Sequence, residues 1–314
     1  MAGFPTLVDI AKLDAGSGYP VIDETIHRSP ELENFPADTI DGATMELTVL
    51  TTLPQLNFRG ANQGVARVKP EWSTKIFQTA ILEQQIAIDV NGVLKSSKDQ
   101  ARTLVSHSKP FMGATIKKIG QSIWYGTSYD TQSFPGLTSQ YSSDVAHEVS
   151  AGGSSALSSI WFLCLGEEHL QVLFGNNATI LMQDDWKEET AYDASGNPFL
   201  AAVNWINARP GLRLANKHAA IRISGIGTAA GKTANDSLLG AGLQLARQLD
   251  VDPTHIFMTP RSAEQIRLSR TAVNIKGIPA PRPTDFEGIP IIETNNLSNA
   301  EETLTAPQAT TQVD

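Results

Sequence analysis

Apolar and polar residues alternate with a period of two over two stretches in the first third of the chain. The first, TMELTVLTTL, places Met45, Leu47 and Val49 on one face, and the second, IFQTAILEQQIAIDV, alternates in the same way. Such alternation is typical of strands whose two faces differ. Because a glycine-containing, basic segment lies between them, the pattern predicts one long β-hairpin over residues 42–90. Two strands alone are marginally stable in water, so neighbouring elements or another subunit should support this hairpin.

A four-residue spacing of apolar positions follows the predicted hairpin. It predicts a helix over residues 96–123 that Pro110 should kink or restart. The positions that define its apolar stripe are Phe111, Thr115, Ile119 and Ile123.

Short extended segments dominate residues 140–225. SSIWFLCLG and LQVLFG flank the turn EEH and predict a hairpin, and FLAAVNWINA and RLANKHAAIRIS predict two further strands. The remaining pattern predicts a helix over 233–249 with Thr233 as its N-cap, the strand THIFMT, a helix that begins at Pro260 and the closing strand IPIIETN. Because helices and strands are interleaved without strict alternation, the fold class is predicted to be α+β.

The two ends of the chain lack periodicity. Residues 1–41 are rich in Pro, Gly, Asp and Glu, which predicts an arm that lies on another surface. Residues 303–314 are polar and are predicted to be a disordered tail.

Composition excludes several classes of protein. The net charge of −9 provides no broad cationic surface for nucleic acid. The N-terminus does not resemble a signal peptide, and no apolar run is long enough to span a bilayer. The single cysteine, Cys164, cannot form an internal disulfide and is expected to be a buried structural thiol in a protein made in a reducing cytoplasm.

A Gly-rich segment, GIGTAAGKTANDSLL, is similar to a phosphate-binding loop. The motif requires a glycine five residues before Gly231, but Ile226 occupies that position. A nucleotide-binding enzyme that uses Lys232 and Thr233 is therefore the weaker hypothesis, and a loop that leads into a helix is favoured.

Other candidate chemistry is incomplete. His147 begins HEVSA, whereas a zinc-binding helix requires a second histidine where this chain has Ala151. The acidic pairs Asp184-Asp185 and Glu188-Glu189 are expected to form a solvated turn rather than a cation site. No catalytic, cofactor-binding or metal-binding residue is predicted, and no cofactor is expected.

The order of the segments resembles that of tailed-bacteriophage major capsid proteins with the HK97-like fold. LENFPADTIDG leads towards LPQLNFRGANQGV, and SIWYGT and FPGL follow the long helix. Further family-like phrases come in the expected order: YDASGNPF, LANKHAAIRISGI, IFMTPRSAEQIRLSRT and FEGIPIIETNNL. The resemblance covers about nine-tenths of the chain, judged by motif order.

This resemblance implies a domain organisation. Residues 1–41 would be the N-arm and 42–90 the E-loop. Residues 91–225 would hold the spine helix and the β-rich part of the P-domain with an insert. Residues 226–302 would hold the A-domain helices and strands and the closing P-domain strand. No crosslinking residue is assigned.

The resemblance also implies a function and partners. The chain would be a structural capsid protein that forms hexamers and pentamers through its N-arm and E-loop, and would not be an enzyme. About forty residues of arm leave no room for a scaffolding segment, so a separate scaffolding protein, a portal and a decoration protein are expected as partners. Packaged double-stranded DNA would be enclosed without sequence-specific binding, no membrane would be involved, and assembly into the virion would take place in the host cytoplasm. An encapsulin-like shell protein is the alternative within the same fold.

Overall fold

The computed structural model describes residues 29–141, 145–177, 180–183, 185–193, 195–274 and 278–303. Within these ranges the helices are α1 (Pro30–Asn34), α2 (Gln100–Trp124), α3 (Leu137–Gln140), α4 (Asp236–Gln248) and α5 (Pro260–Val273). The strands are β1 (Ala37–Thr39), β2 (Thr44–Thr52), β3 (Glu71–Gln78), β4 (Leu82–Asp89), β5 (Glu148–Ser150), β6 (Ser158–Leu163), β7 (Leu170–Phe174), β8 (Leu181–Met182), β9 (Lys187–Tyr192), β10 (Pro198–Ala208), β11 (Pro210–Leu214), β12 (Ala220–Ile226), β13 (His255–Met258), β14 (Asp285–Phe286) and β15 (Ile289–Glu293). The predicted α+β class is confirmed.

A mixed six-stranded sheet forms the centre of the molecule, in the order β14-β15-β13-β6-β12-β5. α4 and α5 pack on one face and bury Leu243 and Ile266 against it. Gly242 allows the close approach of α4, because a Cβ there would lie 2.7 Å from the Phe162 ring. On the other face, Trp161 joins a second core that contains Trp124 at the end of α2. The sheet is therefore buried on both faces.

The long helix α2 runs without interruption through Pro110. It begins after Asp99, whose side chain accepts a hydrogen bond from Arg102 N at 3.0 Å. The predicted restart of the helix at Pro110 is therefore wrong, and a kink there stays a prediction. We attribute the continuity to the exposure of Pro110, since water can satisfy the carbonyl group that loses its N–H donor one turn earlier.

The long hairpin is shorter than the alternation predicts. β2 and β3 pair antiparallel, from Thr44 opposite Gln78 to Thr52 opposite Glu71. The apolar run that extends to residue 90 contains a second strand, β4, which pairs with β10 instead. The prediction of one hairpin over 42–90 is therefore corrected to β2 and β3. The alternation of apolar and polar residues continues from β3 into β4, because it specifies which face of a strand is buried and not which strand it pairs with.

The predicted hairpin between SSIWFLCLG and LQVLFG does not form. β6 pairs with β12 and β13 in the central sheet, whereas β7 lies between β1 and β11 in a separate three-stranded sheet. Both strands are buried along their whole length. A fully buried strand carries no alternation that could indicate which neighbour it joins.

The last part of the predicted arm belongs to the body, by which we mean the described residues outside the β2–β3 hairpin. α1 and β1 lie within residues 29–41, and β1 pairs parallel with β7. The Phe35 ring packs edge-on against Trp124, with 6.3 Å between centroids. Residues 1–28 and the predicted tail after 303 lie outside the described residues, so the arm prediction is corrected only for its final segment.

The N-cap of α4 is Asn235, whose side chain accepts a hydrogen bond from Leu238 N at 2.9 Å. The prediction that Thr233 caps this helix is wrong by two residues. Among the described residues, no helix has both the length and the apolar character required to cross a membrane.

Candidate assembly surface

The loop that contains Lys232 and Thr233 is closed by its own backbone. Gly227 N donates to Lys232 O at 2.9 Å, and Lys232 N donates to Ala229 O at 3.0 Å. A phosphate cradle needs several such N–H groups aimed at one anion. Because these two groups bond within the loop and the Lys232 side chain is exposed, the geometry does not provide a nucleotide-binding arrangement.

His147 is buried beside another imidazole. Its Nε2 lies 2.8 Å from His218 Nδ1, and the two rings stack with centroids 5.0 Å apart. His147 ends a 3-10 turn rather than lying within an α-helix. Across the ranges that the structure describes, no group of three or more His, Cys, Asp or Glu residues is placed to hold a metal ion. Glu188 and Glu189 are exposed on β9, and Asp184 lies outside those ranges.

Cys164 is a buried free thiol. Its Sγ donates to Asp252 O at 2.7 Å. Burial, with a smaller contribution from Asp252, raises the pKa of the thiol to about 11. A thiol that is so difficult to ionise is a poor nucleophile, so a structural role is favoured.

Large apolar side chains are concentrated on the β2–β3 hairpin yet remain exposed to solvent. Phe58 is fully exposed, and Leu56 and Leu53 are 83% and 73% exposed. Of the exposed large apolar residues found among the described residues, half lie on this hairpin, the others there being Leu50, Val65, Val68, Trp72 and Ile76. Such a concentration of exposed apolar side chains on one element is typical of a protein–protein interface.

The base of the hairpin is attached to the body. The Lys75 ammonium donates to Ala215 O at 3.1 Å and to Leu214 O at 3.4 Å. Burial, followed by the nearby charge of Lys217, lowers the pKa of Lys75. The hairpin is thus held at its base, and its far end, residues 53–70, forms no strand and is exposed along almost its whole length. We refer to residues 53–70 as the tip.

Charge differs between the tip and the body. The tip carries Arg59, Arg67 and Lys69 and no acidic residue, in a chain of net charge −9. A groove of about 720 Å³ separates the hairpin base from a body loop that presents Glu167 and Glu168. Lysine and arginine side chains also line this groove, so its charge is mixed, whereas the tip carries only positive charge.

A buried carboxylate fixes residues 29–41, the described end of the predicted arm, which we call the arm root. Glu31 is fully buried and accepts hydrogen bonds from Trp124 Nε1 at 2.7 Å, Asn296 Nδ2 at 2.7 Å and Ser29 Oγ at 2.9 Å. Thr294 Oγ1 also donates to it. These bonds join the arm root to the end of α2 and to the segment after β15. The sequence contained no signal for Glu31, because most of its donors lie far away along the chain.

A second carboxylate, Glu301, holds the end of the described chain near the same end of α2. Glu301 accepts hydrogen bonds from Ser159 Oγ at 2.6 Å, Arg222 Nη2 at 3.0 Å and Tyr125 Oη at 3.0 Å. Burial, followed by the charge of Glu301, raises the pKa of Tyr125. Both ends of the described chain are therefore bonded beside the C-terminal end of α2.

Comparisons with known proteins agree with this architecture. A family model described as major capsid protein GP7 matches residues 19–305. A chain in the near-atomic-resolution structure of bacteriophage epsilon15 superposes with a TM-score of 0.69 at 18% identity, over 98% of this chain and 100% of that chain. A chain of the bacteriophage JBD30 capsid superposes with a TM-score of 0.54 at 10% identity, over 87% and 93% of the two chains. No curated protein matches the sequence.

Proposed function

Because this chain belongs to the family of the major capsid protein GP7, we propose that its copies join into hexamers and pentamers through the β2–β3 hairpin and the N-terminal arm. Family membership makes the chain a structural protein of a tailed-phage capsid shell, hence a virion component and not an enzyme. The fold is HK97-like, as the resemblance implied. The family match also favours a phage capsid protein over the encapsulin-like alternative.

The exposed apolar surface of the hairpin is the observation that carries this proposal. Leu56 and Phe58 are exposed to water in a single subunit. Burial of each side chain against a neighbouring copy would stabilise the contact between the two copies by about 1.5–3 kcal/mol. The basic residues of the tip add charge complementarity to the acidic body of the next copy. Many such modest contacts, repeated over a shell, make assembly steeply dependent on subunit concentration.

We assign the domains on the same basis. The N-arm comprises residues 1–41, of which 29–41 are docked on the body. The E-loop is β2, the tip and β3. The spine helix of the P-domain is α2, and residues 91–225 hold the rest of its β-rich part. Residues 226–302 supply the A-domain helices and strands and the closing P-domain strand.

The remaining partners are proposed from the family context. They are a separate scaffolding protein, a portal at one vertex, a decoration protein and packaged double-stranded DNA, with assembly in the host cytoplasm. The net charge of −9 supports enclosure of DNA without sequence readout, because an acidic subunit lacks a broad cationic surface.

Removal of the tip tests the proposal. Thr52 and Glu71 pair directly, so replacing residues 53–70 by Asn-Gly closes β2 and β3 with a two-residue turn and preserves the ladder. We expect a folded subunit, by far-UV circular dichroism, that forms no closed shells, by sedimentation and electron microscopy. Gln55→Ser, which shortens an exposed polar side chain of the same tip, is the control and should assemble normally. Closed shells of ordinary size from the tip-deleted protein would refute the proposed role of the hairpin.

A further inference from the structure

The long helix, like the tip, is a strongly basic region of this acidic chain. Residues 95–124 hold six of its 24 Lys and Arg residues but only one of its 33 Asp and Glu residues. That acidic residue, Asp99, lies at the helix N-terminus, where its side chain accepts a hydrogen bond from Arg102 N. Lys118 is engaged separately, in an ion pair with Asp130 at 2.6 Å.

Helix geometry places the other cations of α2 on a shared side. Arg102, Lys109 and Lys117 fall within an arc of about 80° and span about 22 Å along the axis. Lys98 directly precedes the N-cap Asp99 and adds a fourth cation next to this side of the helix. Lys98, Arg102 and Lys109 are exposed, and Lys117 is partly exposed. We call these four residues the basic face.

In the first half of α2 the side opposite the basic face packs on the body, whereas the second half is buried on both sides, with Gly113, Gly120 and Trp124 on the side of the basic face. Leu104, about 200° around the helix from Arg102, lies against the core between β4 and β10. Trp186 joins the same core, so the acidic strand β9 that follows it lies towards this packed side. Within the described chain, no ion pair engages Lys98, Lys109 or Lys117. Lys98, Lys109 and Lys117 therefore present one sign of charge to whatever lies above them.

The chemistry of the basic face suits a polyanion better than a protein. The centre of a protein interface is typically apolar and depleted in lysine, whereas Val105 is the one large exposed apolar side chain on α2. Double-stranded DNA carries a negative charge about every 1.7 Å of its axis, so a cationic strip of about 22 Å meets several phosphates in most registers. Long lysine side chains adapt to such a backbone without reading its bases.

We propose that the basic face of α2 contacts the phosphate backbone of enclosed double-stranded DNA and therefore faces the interior of the shell. This inference rests on the proposed shell function. Outside the tip and this helix the subunit carries a net negative charge that repels DNA, so contact is confined to a few cations on each copy. Contacts of this kind organise the outer layer of DNA without sequence preference and weaken as salt rises.

The test compares two triple variants with equal changes of charge. Lys98→Gln, Arg102→Gln and Lys109→Gln together remove three exposed cations from the basic face. The matched control is Lys187→Gln, Lys232→Gln and Arg247→Gln, three exposed cations located elsewhere. Binding of unassembled subunits to two 30-base-pair duplexes of unrelated sequence is measured by fluorescence anisotropy between 50 and 200 mM salt.

We expect the wild-type subunit to bind both duplexes equally. The basic-face variant should lose about tenfold or more in affinity at low salt, and the slope of log affinity against log salt should become shallower by about 2 to 3. The control should stay within about threefold of wild type. Equal losses in the two variants, or no binding by the wild type, would overturn the proposal.

Two further binding measurements determine whether the basic face lies inside the shell and whether it prefers DNA. Duplex added outside closed, empty wild-type shells should remain unbound, and binding there as tight as to free subunits would overturn the interior location. Poly-glutamate should compete poorly with DNA, whereas equal competition would indicate a surface for acidic proteins and refute the DNA proposal. Electron microscopy of the same samples tests shell formation independently, so failure to bind DNA and failure to assemble are distinguished.

Discussion

At the scale of single residues, burial distinguishes charged side chains that stabilise the subunit from charged side chains whose substitution should not affect its stability. Glu31 is fully enclosed by hydrogen-bond donors from the arm root, α2 and the segment after β15. Lys232 is exposed on a loop that its backbone already closes. The sequence drew attention to Lys232 and gave no indication of Glu31, because a motif is local whereas the Glu31 site is assembled by tertiary packing.

Glu31→Ala should destabilise the subunit by about 3 kcal/mol, because the Trp124 and Asn296 donors would stay buried without an acceptor. Denaturant unfolding measures this loss. Glu33→Ala, in the same short helix but exposed, is the control and should change the free energy of unfolding by about 0.5 kcal/mol or less. Equal effects of the two substitutions would contradict the role given to Glu31.

Lys232→Ala should leave folding and assembly unchanged, within about 0.5 kcal/mol of the wild-type free energy of unfolding. Its side chain is exposed, and the loop is closed by backbone hydrogen bonds that the substitution retains. Calorimetric titration with ATP should detect no binding to either protein. ATP binding by the wild type that is lost in Lys232→Ala would restore the nucleotide-binding hypothesis.

Cys164 should resist thiol reagents in the folded protein. Its pKa is raised to about 11 by burial, so at pH 8 very little thiolate is present, and labelling should rise only as the pH approaches that value. Unfolding in denaturant removes the burial and should make labelling rapid at pH 8. Mass spectrometry after a timed alkylation measures both states, and fast labelling of native protein at pH 8 would show that the thiol is not protected.

At the scale of elements, the sequence predicted the type and order of helices and strands better than it predicted which strands pair with each other. β13, α5 and β15 were predicted in type and order, with Pro260 at the start of α5, because proline and apolar runs act locally. The pairings of β4, β6 and β7 were wrong. Strand partners are chosen by long-range burial, and a buried strand presents similar faces to any neighbour. The pairing of β2 with β3 was predicted because these two strands follow each other in the chain, although the predicted hairpin extended too far, to residue 90.

The hairpin also supports a prediction at this scale. Leu56→Ser with Phe58→Ser should leave the circular dichroism spectrum and the unfolding curve of the subunit unchanged, since both side chains are exposed in the single copy. Burial between copies would lose roughly 3–6 kcal/mol per hairpin, so the subunit concentration needed for shell formation should rise at least a hundredfold. Light scattering across a concentration series measures that threshold. An unchanged threshold would show that the tip is not buried between copies.

At the scale of the whole molecule, the subunit consists of a body with fastened ends and a hairpin that projects from it. Glu31 and Glu301 fix the arm root and the described chain end beside the end of α2. Lys75 fixes the hairpin only at its base. The body can therefore fold as one unit before assembly, and under our proposal the apolar tip is then buried against another copy.

Cryo-electron microscopy of the purified, assembled protein tests the central claim most directly. The account predicts closed icosahedral shells in which the tip of every β2–β3 hairpin lies against a neighbouring copy, with Leu56 and Phe58 buried in that contact. Particles that remain monomeric at every concentration, or shells whose tips point into solvent, would contradict it.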